Sequence, residues 1–509
     1  MENDSANQPL TGSKLAISTV SLALAVFMNV LDTTITNVSI PTIAGNLSVS
    51  PSQGTWTITS YSVAMAIVVP LTGWLARYFG EVRLFVACTA LFSMASLACG
   101  LAPDFTSLII LRSIQGLVAG PMIPLSQSLL LRCYPPEKKG MALAFWAMTT
   151  VVAPILGPIL GGYITDNIGW PWIFYINIPI GLTSSFVTWQ MLKKRESKTS
   201  RNPIDVTGLI LLVVGVGCLQ IFLDRGHELD WFNSTEVTLL AIVAVISLSL
   251  FLAWELFEKH PVVDLSLFLL RNYTVGTLAV ALGYMTFFSG VVIFPLWLQT
   301  QMGYTATWAG LAAAPIGMLT LMLTPIVGAS LHKVDVRVLS SFSFFVFAFT
   351  CFWQAGFNTD ATFYDVALPR LAQGIAMSCF FVPVTSISLS GLTPDRIAAA
   401  AGLTNFMRIL GGSFGTSISV TFWDDRAIYH RSVLVESISQ SNPYAMAPLE
   451  VAQSNGMSYE GALAVFERII GKQAATLATN DIFLLSGVIF SCLILFIWLS
   501  RGPFMVARN

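Results

Sequence analysis

A five-residue signature occurs twice in this chain, once in each half, and each time inside an apolar stretch. Arg112-Ser113-Ile114-Gln115-Gly116 returns as Arg370-Leu371-Ala372-Gln373-Gly374, an offset of 258 residues. The same offset relates Pro136-Glu137-Lys138 to Pro394-Asp395-Arg396, and Gly157 to Gly415. A weaker echo, Pro70-x-x-Gly73 against Pro325-x-x-Gly328, falls at an offset of 255. A chain that repeats itself over this distance folds as two like units, each using the same residue types for the same helix contacts.

The repeat lies in a chain of 509 residues that is 55% hydrophobic and 10% charged, with mean hydropathy +0.72. Soluble domains carry about 25% charged residues, so this is an all-α polytopic membrane protein. A crossing needs about 20 mostly apolar residues. Fourteen stretches qualify: 15–38, 55–76, 82–102, 105–130, 140–164, 170–192, 205–223, 237–257, 273–300, 307–330, 337–357, 363–390, 396–421 and 479–500, numbered here as spans 1 to 14. The repeat groups spans 1–6 and 9–14 as two six-helix bundles, with spans 7 and 8 inserted between them. An arginine in hydrocarbon is costly and marks a functional position by default. Two at equivalent positions of a duplicated bundle imply a site between the halves, the plan of a secondary transporter.

Basic residues set the orientation. With the N-terminus in the cytoplasm, the cytoplasmic segments hold 18 of the 26 Lys+Arg, densest at Lys193, Lys194, Arg195, Lys198 and Arg201. The outer side holds Arg225, Arg426, Arg431, Arg468 and Lys472, and the spans hold Arg112, Arg370 and Arg408. The organisation is then a cytoplasmic tail 1–14, a first bundle 15–192, a linker 193–204, two inserted helices 205–257, a linker 258–272, a second bundle 273–500 containing an outer loop 422–480, and a cytoplasmic tail 501–509. The first thirteen residues contain no Lys or Arg, unlike a cleavable signal peptide, so span 1 is expected to be an uncleaved anchor. A net charge of −1 argues against a nucleic-acid partner. Seven scattered cysteines without a C-x-x-C pair argue against a disulfide framework or zinc site. In the loop 422–480, Ala462, Phe466, Ile469 and Ile470 fall at helical spacing, which suggests an amphipathic helix resting on the membrane or docking a partner. A solvated variable loop is the alternative.

Asp32 is the only carboxylate well inside a span. It lies about 9–13 Å below the outer end of span 1, and Arg112 lies about 10 Å deep on span 4, at a rise of 1.5 Å per residue. The two therefore meet at one level. Desolvation raises a carboxylate's pKa and a nearby cation lowers it, and the balance can leave Asp32 titratable near neutral pH, as a proton carrier requires. A permanent structural ion pair is the alternative. The four histidines fall in loops, against a histidine relay.

Near Phe287, the position equivalent to Asp32, the second half has no acid. Arg370 and Arg408 thus either satisfy helix ends and carbonyls or give a cavity a positive face that favours anionic amphiphiles. Candidate substrate contacts are Asn37, Gln115, Gln127, Tyr284, Phe288, Trp297, Arg370, Gln373, Phe380, Phe381, Asn405 and Arg408, since aromatics with sparse polar groups suit large apolar ligands. In span 5, Pro154, Gly157, Pro158, Gly161 and Gly162 make a bent, close-packing seam. It reads as a leak barrier between the halves or as ordinary membrane-helix packing. No cofactor, metal set or nucleotide motif is visible, so ATP is not the expected energy source and a proton carried by Asp32 is the expected drive, and an enzyme acting on lipid-linked substrates lacks its catalytic cluster.

These motifs resemble the major facilitator superfamily, in particular its fourteen-span drug:proton antiporters of the EmrB/QacA type. The likeness rests on Leu31-Asp32-x-Thr34-Ile35-x-Asn37-Val38-x-Ile40-Pro41, on Arg112-x-x-Gln115-Gly116, on Gly157-Pro158-x-x-Gly161-Gly162 and on Trp170-x-Trp172-Ile173-Phe174-x-Ile176-Asn177-x-Pro179-x-Gly181. It implies a proton-coupled exporter of hydrophobic or amphipathic drugs in a bacterial inner membrane, with membrane lipids around it. It also implies a periplasmic membrane-fusion adaptor (EmrA-like) and an outer-membrane channel (TolC-like) as partners. A dedicated exporter of an endogenous anion, such as a fatty acid, bile salt or siderophore, is the alternative. The gating loop between spans 2 and 3, usually G-x-L-A-D-R-x-G-R, here carries Gly73, Arg77, Gly80, Glu81 and Arg83. Its acid and base are exchanged, which suggests a gating pair of reversed polarity.

Overall fold

The two arginine helices begin at the same place in the repeat. Span 4 starts at Phe105 behind Asp104, whose carboxylate accepts from the Ser107 N–H at 2.8 Å. Span 12 starts at Phe363 behind Thr362, in a capping box with Asp365 closed at 2.9 Å. Each cap satisfies orphan N–H groups that hydrocarbon cannot hydrate, so each fixes where the helix begins and hence the depth of its arginine seven residues on. Four residues after each arginine, a glycine lets another helix approach. A Cβ at Gly116 would fall 2.2 Å from the Tyr61 carbonyl oxygen, and one at Gly374 would fall 2.4 Å from that of Ile316. Span 4 therefore packs on span 2 as span 12 packs on span 10.

This computed structural model describes residues 10–135, 152–153, 156–197, 199, 205–258, 261–330, 334–392, 394–436, 451, 454, 457–502 and 504. The described residues form helices, turns and irregular connections, with no strand among them. Ten helices are long and apolar enough to cross a membrane, and Pro51–Val68 with Thr72–Phe79, bent by 61° at a short break, makes an eleventh. These are spans 1–4, 7–12 and 14. Spans 5, 6 and 13 are also helical where described, through residues 156–167, Asn177–Leu192 and Pro394–Glu436. Large apolar side chains such as Met94 and Phe186 face outward, 63% and 64% exposed, as a lipid-facing surface demands.

The described ends of the chain, near Leu10 and Arg501, lie on one face, called here the terminal face; the opposite end is the far face. On the terminal face, Gly80 (φ 92°) turns the chain so that Glu196 can cap span 3, accepting from the Val82 and Arg83 N–H groups at 2.9 Å each. Glu81 pairs with Arg132 at 2.9 Å rather than with Arg77. The reversed charges of the gating loop thus form no Arg77–Glu81 pair, because Glu81 points along span 3 toward the end of span 4.

The far face departs from the sequence expectation. The described residues of 422–480 are largely a continuation of two helices, Pro394–Glu436 and Tyr459–Ile497. The first has 43 residues, about 65 Å at 1.5 Å per residue, against a hydrocarbon core of about 30 Å. The extensions are clasped by Arg426–Asp481 at 2.6 Å, His430–Asp481 at 2.7 Å and Arg431–Glu467 at 2.6 Å. The expected amphipathic segment is the start of Tyr459–Ile497. There Ala462 is buried, Phe466 and Ile470 are half-buried, and Ile469 is exposed.

Side-chain hydrogen bonds between the bundles gather toward the far face, while apolar side chains of spans 2 and 13 share one buried cluster. Gln299 donates to the Val38 carbonyl at 2.9 Å, Ser413 to that of Thr59 at 3.4 Å, and the Thr307 N–H to Asp166 at 2.7 Å. Span 5 meets span 10 backbone to backbone. A Cβ at Gly162 would lie 2.4 Å from the Ala306 carbonyl oxygen, and one at Gly310 would lie 2.0 Å from that of Pro158. Gly310→Val is therefore expected to lower the midpoint of thermal unfolding in detergent, at an overpacking cost of about 1–3 kcal/mol. Gly217→Ala, into open space, should leave it unchanged.

Candidate functional site

Asp32 and Arg112 are fully buried in the first bundle, with no side-chain exposure and 2.5 Å between Asp32 Oδ2 and Arg112 Nη1. The surroundings complete the pair. Asn177 Nδ2 and Gln115 Nε2 donate to Asp32 Oδ1 at 2.7 and 3.2 Å. Arg112 Nε donates to the Thr57 carbonyl at 3.0 Å and Nη1 to Gln115 Oε1 at 2.7 Å. Ser96 ties the amides together, accepting from Gln115 at 2.7 Å and from Asn177 at 3.2 Å. The guanidinium lies 4.3 Å from the Tyr61 ring centroid and 5.4 Å from that of Phe174, within cation–π range. Spans 1, 2, 3, 4 and 6 each contribute. Among the described residues, Arg112 Nη2 and Asn177 Oδ1 have no hydrogen-bond partner. A buried charge is tolerated when paired and hydrogen-bonded, and here the carboxylate accepts three bonds.

Sequence reasoning found Asp32, Arg112 and Gln115 but missed Asn177, Ser96 and Tyr61. Asn177 stands in the Trp170–Gly181 motif, which was read without a role for that residue. Gln115, expected against substrate, belongs to the ion-pair cluster.

The second half repeats the geometry without the acid. Arg370 is 4% exposed. It donates to the Gly290 carbonyl at 2.8 Å and to Gln373 Oε1 at 3.0 Å, and it lies 4.0 Å from the Phe294 ring. Carbonyl, amide and ring thus hold it inside the second bundle, so Arg370 and Gln373 pack in the bundle rather than facing an open cavity. Trp297 is also fully buried, donating to Thr476 Oγ1 at 3.1 Å and stacked on Phe357 at 5.6 Å. Phe380 packs against Phe344 and Phe347 in the core.

Four of the remaining candidates come together. Tyr284 lies 4.7 Å from Phe288 and 5.9 Å from Phe381, ring to ring. The Arg408 guanidinium sits 4.8 Å from the Tyr284 centroid and 5.0 Å from that of Phe381. Arg408 is half-buried, its Nε has no hydrogen-bond partner, and no described carboxylate lies within ion-pair distance. Asn405, also half-buried, is three residues away on the same helix face. Asn37 is buried with both amide atoms unpartnered. Gln127 is half-buried on the Met122–Cys133 segment of span 4. In span 5, Gly157 packs against Thr34 and Gly161 against Ile35 of span 1; Pro154 lies outside the described residues.

A duplicated helical bundle with a buried ion pair in one half and an aromatic, cationic surface in the other is a transporter's framework, not an enzyme's. A profile of the Major Facilitator Superfamily matches residues 22–416, and the chain belongs to that family. It is 52% identical over 497 residues to the multidrug export protein EmrB of Haemophilus influenzae, covering 97% of this chain and 98% of the relative. It is 51% identical over 498 residues to EmrB of Escherichia coli K12, covering 98% and 97%. It is 50% identical over 499 residues to the fatty acid resistance protein FarB of Neisseria gonorrhoeae, covering 97% and 98%. A bacterial Spinster homologue solved inward-facing and unoccupied has a TM-score of 0.62 at 13% identity, covering 97% of this chain and 100% of that one. The peptide transporter POT in complex with sulfate has a TM-score of 0.63 at 14% identity, covering 99% and 100%. These two share the fold. The chain is a multi-pass membrane transporter related to drug exporters.

Asp32→Ala leaves Arg112 as an uncompensated buried charge, so its expected cost is about 3–5 kcal/mol. The double variant Asp32→Leu/Arg112→Met should recover much of that loss. Thermal unfolding of purified protein checks both; a double variant as unstable as the single one contradicts the assignment.

Proposed function

We propose that this chain is a proton-driven antiporter that exports hydrophobic and amphipathic compounds across a bacterial inner membrane by alternating access. The observation that supports it best is the Asp32–Arg112 pair, wholly buried at 2.5 Å, in a chain about half identical to multidrug exporters. The terminal face is cytoplasmic in this reading and the far face periplasmic, as the basic residues demand. The closed contacts at the far face then correspond to the state that is shut to the outside. The far-face helices of 422–480 stand above the membrane where a periplasmic adaptor and an outer-membrane channel would engage.

Proton binding to Asp32 removes the charge that Arg112 faces. The two amides and the Thr57 carbonyl remain, but the Coulomb attraction between spans 1 and 4 is lost, and the balance between conformations shifts. Substrate and proton must favour different states for exchange to be coupled. Neither passes through a covalent step.

In inverted membrane vesicles energised by a pH gradient, wild type is expected to move a lipophilic dye or drug in a gradient-dependent manner. Asp32→Asn should lose gradient-driven transport by about 10-fold or more, the equivalent of at least 1.4 kcal/mol, while still binding substrate. Equal transport in both would make the pair structural, and gradient-independent transport in wild type would remove the antiporter reading.

Arg408 supports a narrower reading within the same class, a preference for anionic amphiphiles. Its guanidinium, flanked by Tyr284 and Phe381 and without a described carboxylate, offers a carboxylate-bearing lipophile a charge partner between two apolar faces. A relative named for fatty acid resistance agrees with that chemistry. Arg408→Gln is expected to weaken export of a long-chain fatty acid by about 10-fold, a charge-assisted contact of about 1.5–3 kcal/mol, and to spare a cationic dye. Equal losses for both substrates would remove the preference.

A further inference from the structure

The inserted hairpin of spans 7 and 8, Val206–Arg225 and Thr235–Phe257, joins the two bundles at one point on the far face. There Asp224 accepts from Thr59 Oγ1 of span 2 at 2.9 Å and from Gln220 Nε2 of its own helix at 2.8 Å. Its other oxygen contact is a very short one with Ser417 Oγ of span 13. Gln220 Nε2 also reaches Ser417 Oγ at 2.6 Å. Ser413 donates to Gln220 Oε1 at 3.1 Å, alongside its contact with the Thr59 carbonyl. One carboxylate on the insertion thus holds a hydroxyl of the first bundle and a hydroxyl of the second.

Unlike Asp32, this carboxylate has no cation beside it. Arg225 is paired with Glu236, and His227 lies 3.1 Å from Asp425. The facing titratable groups are His227 and Glu228 after span 7, and Asp424 and Asp425 on span 13. Span 2 presents Ser52, Thr55, Trp56 and Thr59 and no titratable side chain. Asp224, His227, Glu228 and Asp424 line a small cavity, about 20 Å³, together with Ser52, Thr55 and Ser417. A site of this size and polarity holds one water. Glu228 on its rim is exposed, so the cavity meets solvent on the far face.

We propose that Asp224 is a second proton-binding group of the transport cycle, and that protonation from the far face permits the two bundles to close over it. Burying an ionised carboxylate without a cation is costly, while a neutral carboxyl is buried at small cost when hydrogen-bonded. Thr59 and Ser417 belong to different bundles, so opening the far face separates them and turns the half-buried Asp224 further into water, where it ionises. The neutral form keeps the contacts seen here, because hydroxyl hydrogens rotate to donate or accept. Acid on the far face therefore favours the closed arrangement, and the proton returns to that face when the bundles part, so Asp224 responds to outside pH and carries no proton across. This inference rests on the proton-driven reading above. It gives the insertion a task, since the acid that senses the outside belongs to neither repeat.

The test is a distance measurement. Spin labels at Asn46→Cys and Thr300→Cys, exposed ends of spans 1 and 9, report far-face opening in lipid nanodiscs, with the exposed Cys492 removed as Cys492→Ser. Acidifying wild type from about pH 8 to about pH 5.5 should increase the closed population. Asp224→Asn, which mimics the neutral form, should raise the closed-to-open ratio at the alkaline end by about tenfold, the equivalent of one pKa unit between the two states. It should also abolish most of the pH response. Asp224→Glu should retain the response, and Asp424→Asn and His227→Gln should leave it in place. An Asp224→Asn protein that follows the wild-type curve, or a wild type whose gate ignores pH, overturns the proposal. Either result stands apart from the vesicle experiment: gradient-driven efflux with a pH-indifferent gate removes Asp224 alone, and efflux indifferent to the gradient removes the antiporter reading.

Discussion

Placing a guanidinium in a medium that cannot solvate it is the constraint around which this molecule is arranged. Each half meets it with the same helix start, the same spacing and the same glycine one turn beyond, and the two halves then diverge. Arg112 is matched by a carboxylate, a carbonyl and one amide, with a second amide on the carboxylate, and five spans must hold register for that to hold. Arg370 is matched by a carbonyl, one amide and aromatic faces. The first arrangement pairs its cation with a carboxylate, the group that the proposed function uses as proton carrier. The second has no described carboxylate within ion-pair distance of its arginine and relies on neutral partners.

The depth of Asp32 and Arg112 was legible because a fixed rise per residue converts position along a span into depth. The rest of the cluster was not. Asn177 is 145 residues from Asp32, and which face a membrane helix turns inward depends on its rotation against neighbours, for which mostly apolar spans give little periodic signal. The same reason separates Tyr284, Phe288 and Phe381, which meet Arg408, from Trp297 and Phe380, which are packed away. All are aromatic and at membrane depth, so residue type alone did not divide them.

The far-face helices show a different failure. Asp424, Asp425, Arg426, His430 and Arg431 interrupt an apolar run, and that marks where a chain leaves the membrane, not where its helix ends. Helix propensity in water continues past the interface when polar side chains find partners across the hairpin. Arg426 and His430 both reach Asp481, so the polar residues that ended the hydropathy signal are those that hold the extensions together.

Two of the seams that close the far face are made differently. Span 5 meets span 10 largely by shape: Gly162 and Gly310 bring backbone against backbone, with Asp166 accepting from the Thr307 N–H beside them. Span 2 meets span 13 by chemistry, through hydroxyls and an amide organised from the inserted helix. Parting the first seam forfeits dispersion contacts that are individually small. Parting the second exchanges protein hydrogen bonds for water, a modest net change per bond. Neither seam alone binds the closed state tightly, and a carrier needs that balance, since a ligand shifts two conformations only by its difference in affinity for them. In the proposed cycle, the seam of shape gives the bundles a surface to rock against, and the seam of hydrogen bonds around Asp224 lets a proton bias which way they lean.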